Sequence, residues 1–471
     1  MVASWDRARD EWTFVLVFLL PDYYDFREPQ GQRIAFQGSN QVCMQFSSER
    51  SLTRMKSRRL LPLPLVCLLA SMLTPAEAAE TPKDIKIGTL YASSGPFASI
   101  SMPVYYGLKL WVEQKNEAGG VLVRPFNKKI PIKLIAYDDQ SSTATATTLY
   151  NQLITQDKVD ILVADSGSVL TSVGVPIARD HKMLLIDQTG TGGTFFTKDN
   201  PYIVLISDPI SSVWPKYVGD FLNTEGYQLG IRRVAILYAT NDYTSTQANA
   251  VRKFLKDAGK LEIVYDNGVA TNTSNYVVLL QNIRASNPDA VVHLGYPGND
   301  IAFFRNVQES GIKFKWLFGI YPGLETELVE RGVGPKALQY VYTYVTSSAI
   351  SYKPNFGMTL AEFKAAWDKK YQGGHVEFGF NSVAGYTTGL VLDRALATTD
   401  SLDQLALRRA IFAQSGKLKT LDGDFELDET GAQTGEIQPL GQLVPDSKGG
   451  LKLNIVYPHD LADAKPAYPA P

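Results

Sequence analysis

Cysteine is nearly absent: the 471 residues contain two, Cys43 and Cys67, both in the leading part of the chain. Everything downstream therefore lacks a thiol nucleophile and any disulfide, and must be held together by burial. Histidine is almost as scarce. His181, His293, His375 and His459 stand far apart with no ligand spacing, so no metal site is expected. An excess of one charge is missing too: 46 Lys and Arg face 48 Asp and Glu, net −2. That balance offers no basic field for a phosphate backbone, and no nucleic-acid partner is expected. There is no Gly-x-Ser-x-Gly elbow and no glycine-lysine phosphate loop. A dinucleotide fingerprint starting at Gly190 and Gly192 would need a third glycine where Phe195 stands. With neither a nucleophile–base set nor a metal or cofactor motif, an enzyme is not expected.

What is present begins with a targeting pattern. Met55-Lys56-Ser57-Arg58-Arg59 is a basic block, the apolar run 60–73 follows, and Ala76-Glu77-Ala78 ends it. The run falls short of the roughly 20 residues of a membrane span and is broken by Pro62 and Pro64, so 55–78 reads as an export signal. Val66 before Cys67 is not the small residue a lipid-attachment site wants. Residues 1–54 then read as an upstream extension outside the working protein, with no clear periodicity beyond 14–20. Residues 1–78 hold nine of the 46 basic and eight of the 48 acidic residues, which leaves 37 against 40, net −3. About 390 residues remain, enough to fold without disulfide staples.

From Asp84 onward, short β-branched runs alternate with stretches of helical length. Strands are expected at 85–90, 132–137, 161–164 and 183–187, with helices at 105–118, 144–156 and 169–181 between and after them. After a further run at 203–207 a second series begins, with strands at 234–238, 262–265, 290–294 and 315–318 and helices at 214–225, 245–258, 275–286 and 301–310. Further helices are expected at 360–371, 381–397 and 402–414, and the Gly-rich stretch 423–457 alternates like hairpins. Such alternation implies two α/β units with parallel sheets, facing each other across a cleft.

Open α/β sheets bind ligands beyond the carboxyl ends of their strands. Ser93-Ser94-Gly95-Pro96 follows the first strand. Asp165-Ser166-Gly167-Ser168 follows the third and opens a helix, where Ser168 and backbone N–H groups can either receive an anion or simply cap the helix. Gln188-Thr189-Gly190-Thr191 follows the fourth, its small residues allowing close approach and its threonines supplying hydroxyls. Tyr243, Tyr296 and Tyr321 each follow a strand of the second unit, which favours a shared cleft wall over three unrelated core positions. Asp138 and Asp139, adjacent on a strand and so facing opposite ways, read as structural.

Ile85-Lys86-Ile87-Gly88 with Ser94-Gly95-Pro96, Gly107, Asn116-Glu117-Ala118-Gly119-Gly120-Val121, Tyr137-Asp138-Asp139 and Asn241-Asp242-Tyr243 together resemble the periplasmic solute-binding proteins of the branched-chain amino acid (Leu/Ile/Val) type. These are the receptor components of ABC importers, and the resemblance covers about 84–446. It implies the type I periplasmic binding fold: two Rossmann-like α/β lobes joined by a three-strand hinge and closing on a small solute. The expected division is 84–207 plus 345–422 for lobe 1, 208–344 plus 423–458 for lobe 2, and a tail at 459–471.

The resemblance further implies that Ser168, Thr189 and Thr191 grip a ligand carboxylate from lobe 1, while Tyr243 and Tyr296 contribute from lobe 2. Where amino-acid binders carry an acid for the ligand ammonium, this chain has Tyr321. Burying an ammonium without a counter-charge costs several kcal/mol. A small organic carboxylate without an amino group, such as an aromatic acid, is therefore the expected solute. Tyr91 stands where the family has glycine and Ile100 where an aromatic is common; Tyr91 and Ser94 complete the expected site. Branched-chain amino acids remain open if Glu325 or Glu327 replaces the acid, as do amides or urea. The implied partners are an inner-membrane permease and its ATPases, with a signalling partner as the alternative. The protein is expected in the periplasm, as a monomer and without a cofactor.

Overall fold

Five short apolar strands make the first sheet: β1 (Ile85–Tyr91), β4 (Ile132–Asp138), β5 (Ile161–Val163), β6 (Leu185–Asp187) and β7 (Ile203–Leu205). They run parallel in the order β7-β6-β5-β1-β4. Nearly every residue of β5, β6 and β7 is buried, as a parallel sheet covered on both faces requires. The computed structural model describes residues 80–371, 376–436 and 438–471. It also gives the backbone of three upstream strands, Val2–Ala8, Glu11–Phe18 and Val42–Gln45, which pair among themselves. The expected export signal at 55–78 lies outside the described residues.

Helices α1 (Ala98–Glu117), α2 (Thr143–Thr155) and α3 (Ser168–Asp180) cover the first sheet, while β2 (Val121–Val123) and β3 (Lys128–Ile130) form a side hairpin. Helix α1 starts well before the expected 105. Pro103 reads locally as a break, because it removes one N–H from the ladder, but burial of Ile100 and Val104 carries the helix through it.

The second sheet has seven strands. The parallel set is β8 (Arg233–Ala239), β9 (Glu262–Val269), β10 (Ala290–Leu294), β11 (Leu317–Phe318) and β12 (Tyr342–Tyr344), in the order β9-β8-β10-β11-β12. Helices α4 (Lys216–Phe221), α5 (Asp242–Ala258), α6 (Val277–Ala285), α7 (Pro297–Ser310), α8 (Tyr321–Leu324) and α9 (Thr326–Val333) accompany it.

After β12 the chain returns to lobe 1. Helices α10 (Leu360–Tyr371), α11 (Phe380–Leu396) and α12 (Gln404–Phe412) pack Phe363, Trp367, Val383 and Leu390 against Ile85, Leu108 and Trp111. The hairpin of β13 (Lys419–Thr420) and β14 (Gly423–Asp424) stays there too. The antiparallel strands β15 (Leu440–Pro445) and β16 (Leu451–Tyr457) then extend the second sheet.

The chain thus crosses between lobes three times: between Leu205 and Lys216, between Tyr344 and Leu360, and between Ala432 and Leu440. The third crossing corrects the expected boundary at 422/423. Phe425 is buried in the cluster of α10–α12 and Ala432 in that of β6 and β7, so this stretch belongs to lobe 1. The tail is docked on lobe 2: Ala467 exchanges hydrogen bonds with the Gln442 side chain, its N–H donating at 2.8 Å and its carbonyl accepting at 3.0 Å. Among the described residues no helix is long and apolar enough to cross a membrane.

Candidate functional site

The lobe 1 side of the cleft is organised around the start of α3. Gly167, its N-cap residue, has φ +82°, a conformation that suits glycine, and any Cβ there would lie 3.1 Å from Ile100 Cδ1. This turn presents the first N–H groups of a 13-residue helix to the cleft. The Gly167 N–H donates to Thr189 Oγ1 at 3.0 Å, and the Thr189 and Ser166 hydroxyls lie 2.9 Å apart. Asp187 braces the second loop by accepting the Gly190 N–H at 2.7 Å. Ser168 is buried and its hydroxyl has no partner. A buried hydroxyl without a partner at a helix N-terminus is a vacant donor for an anion.

Lobe 2 faces this turn with aromatic rings. Trp214 packs edge-on against Tyr243 (5.5 Å, 84°), Tyr243 lies 5.4 Å from Tyr296, and Tyr296 lies 6.4 Å from Tyr321. Phe97 closes on Tyr296 from lobe 1 at 5.2 Å. The Trp214 indole donates to the Pro209 carbonyl at 2.6 Å, which fixes the ring to the first crossing segment. The Tyr296 hydroxyl faces the Ser168 and Val169 N–H groups. Burial raises the pKa of all three tyrosines, so they act as neutral hydroxyls and ring faces.

Together these residues line a narrow, partly open pocket between the lobes, walled by Ile100, Ser166–Ser168, Thr189, Trp214, the three tyrosines, Leu324 and Phe380. Two polar side chains complete it, Asp208 and Asn381. Asp208 follows β7 in the first crossing; it is buried, and one carboxylate oxygen has no partner. Burial, with Asp422 and Asp187 nearby, holds its pKa well above the usual carboxylate range. Asn381 donates to Glu325 at 3.0 Å. Glu325 lies beside the cavity in the wider cleft mouth, and burial pushes its pKa up to about 8.

Five of the eight expected residues therefore meet in one cavity: Ser168, Thr189, Tyr243, Tyr296 and Tyr321. Three do not. Thr191 points its hydroxyl at Ser211, 2.8 Å away in the first crossing segment, because the Gly190 turn reverses the chain after Thr189. Tyr91 stacks on Tyr105 at 4.6 Å, away from the cavity wall. Ser94 is exposed, and its carbonyl accepts from Ser141 in a surface turn. The lining residues that the sequence did not single out are Asp208, Trp214, Leu324, Phe380 and Asn381. Ser207-Asp208-Pro209 after a strand was a visible cue for the first; nothing local marks Phe380 or Asn381, which open a helix more than 200 positions after the α3 turn they help to enclose. Among the described residues, no three His, Cys, Asp or Glu side chains converge as a metal site.

Two α/β lobes joined by three crossings, with a polar and aromatic pocket between them, define the fold of a two-lobed binding protein. Residues 84–441 match the family model described as periplasmic binding protein, and the chain belongs to that family. It is 25% identical over 416 residues to the Leu/Ile/Val-binding protein homolog 7 of Brucella suis, covering 86% of this chain and 98% of that one. Among solved structures, the leucine-binding protein LivK of Thermotoga maritima superposes with a TM-score of 0.66 at 18% identity, over 80% of this chain and 99% of that one. The isoleucine complex of LivJ from Streptococcus pneumoniae gives 0.64 at 20%, over 80% and 100%. A solute-binding protein of R. palustris in complex with benzoate gives 0.63 at 19%, over 79% and 95%. The family that this model describes is one of periplasmic binding proteins, not of enzymes.

Proposed function

We propose that the protein is exported to the periplasm, closes as a monomer on a small organic carboxylate with an apolar or aromatic body, and delivers it to an ABC permease and its ATPases. The observation that carries this reading is the unpartnered Ser168 hydroxyl beside the α3 N-terminus, opposite a wall of aromatic rings. The carboxylate rests on Ser168 and the first N–H groups of α3 in place of the Tyr296 hydroxyl that faces them here, while Tyr243, Tyr296, Tyr321, Trp214 and Phe380 surround the body. That relatives bind isoleucine and benzoate supports a carboxylate head common to both.

Asp208 favours a second reading. The absence of an acid at Tyr321 argued against an ammonium, but the cavity wall holds a carboxyl all the same. An α-amino acid would place its ammonium against Asp208 and drive that group to ionise.

A thermal-shift screen against aromatic acids, aliphatic acids, amino acids, amides and sugars tests the class. A ligand present at a thousand times its Kd stabilises by about 4 kcal/mol. Stabilisation by carboxylates is expected, and a response only to amides or sugars overturns the reading. Ser168→Ala should weaken carboxylate binding roughly tenfold or more in calorimetry. Asp208→Asn separates the two ligands: it should abolish leucine binding, with loss of the proton released on binding, and spare benzoate.

A further inference from the structure

Tyr321 stands on a support that is weak by itself. Helix α8 is four residues long and has no side-chain cap, so its own hydrogen bonds hold it poorly. Yet Tyr321 and Leu324, at its two ends, both line the cavity. Its anchor comes from α7. Asp300, fully buried in the first turn of α7, accepts the Tyr321 N–H at 2.7 Å, and the Ile320 N–H faces the same carboxyl. The other oxygen of Asp300 lies 2.7 Å from Nδ1 of His293 at the end of β10.

His293 is itself clamped. Its ring stacks on Phe303 (4.0 Å, 2°) and meets Tyr276 edge-on (5.4 Å, 87°), and its Nε2 has no partner. A ring held on its face and its edge, with only Nδ1 against an acceptor, donates from Nδ1 to Asp300. The same turn of α7 also sets the neighbouring tyrosine, because Asn299 accepts the Tyr296 N–H at 3.0 Å. One helical turn thus places two of the three tyrosines of the ligand wall.

We infer that Asp300, oriented by His293, is a positioning residue for the ligand: through the Tyr321 N–H it sets where that ring stands in the cavity, and so which solutes fit against it. Neither residue lines the cavity. The inference rests on reading that cavity as the ligand site.

Asp300→Asn and His293→Gln, alone and combined with Tyr321→Ala, would be titrated by calorimetry with benzoate, 4-hydroxybenzoate and leucine. The full chain is used, and melting is recorded without ligand. Asp300→Asn should weaken the best of these probes at least tenfold and change their order of affinity. In the Tyr321→Ala background the same change should cost less than twofold, and His293→Gln should follow with smaller losses. Equal losses in both backgrounds, or unchanged affinity and order, overturn the inference. If Asp300→Asn does not fold, the His293→Gln cycle carries the test. Should the wild type bind none of the three probes, the carboxylate reading is decided separately by the thermal-shift screen. The inference is then decided by NMR: the Tyr321 amide and ring resonances should move in His293→Gln, and unmoved resonances overturn it.

Discussion

Gly167 shows how much one position can decide. Its φ of +82° aims the first N–H groups of α3 into the cleft, and Ile100 leaves little room for a side chain. Gly167→Ala should cost roughly 1–3 kcal/mol in denaturant unfolding and weaken carboxylate binding as the turn rearranges. Full retention of both would mean the turn is not held as described. Thr191 makes the opposite case. Its hydroxyl serves Ser211 in the crossing segment, so Thr191→Val should destabilise by about 1–3 kcal/mol and change ligand affinity less than threefold. A collapse of affinity at unchanged stability would return Thr191 to the binding site. Thr189 and Thr191 are alike in sequence, and only the turn at Gly190 separates their roles.

Among the elements, α1 and α11 make the closest contact. A Cβ on Gly385 would stand 1.9 Å from the Val104 carbonyl oxygen, one on Gly107 2.2 Å from that of Ser382, and one on Gly389 2.2 Å from the Trp111 ring. In the sequence these glycines only weaken two helices, since each costs about 1 kcal/mol against alanine by propensity. The packing reverses that expectation. Gly385→Ala should destabilise by about 3 kcal/mol, through overpacking against backbone that cannot move aside, and lower the melting temperature by several degrees. An unchanged or raised melting point would show that the helices can separate. The strands were more legible than such contacts. Runs such as Ile161–Val163 and Ala290–Leu294 are apolar throughout, and a doubly covered parallel strand needs that whatever its neighbours.

At the scale of the molecule, acids gather where the lobes join. Asp208 in the first crossing, Glu436 in the third and Asp422 beside them are all buried, and Ser347 of the second crossing faces Asp422. Burial raises all three acids first; for Glu436 the neighbouring Asp422 and Asp208 add to it, and Asp422 is pushed up to about 6. The folded state therefore holds these protons more tightly than the unfolded chain, where a carboxyl titrates near 4. Their stabilisation is complete below about pH 4 and is lost as pH rises through each folded-state value, which for Asp422 is about 6. Stability measured from pH 4.5 to 8 should fall more in the wild type than in Asp422→Asn, by on the order of 2–3 kcal/mol for this group. Parallel pH profiles would show that the cluster is not protonated in the fold. Asp208 and Glu436 lie on two of the three segments that join the lobes, and Asp422 packs beside them from lobe 1.

The chain by itself determined its class: two α/β units, ligand loops after the strands, no catalytic set and the family pattern. Each of those features is local, written in hydrophobic period, turn residues and short motifs that survive without knowledge of their neighbours. Tertiary structure alone decided which loop residues share a cavity. It brought in Asp208 and Asn381, turned Thr191, Tyr91 and Ser94 away, and kept 423–432 on lobe 1. A cleft wall is assembled from segments more than 200 positions apart, and the direction of each side chain follows from how the lobes pack, which no single stretch encodes.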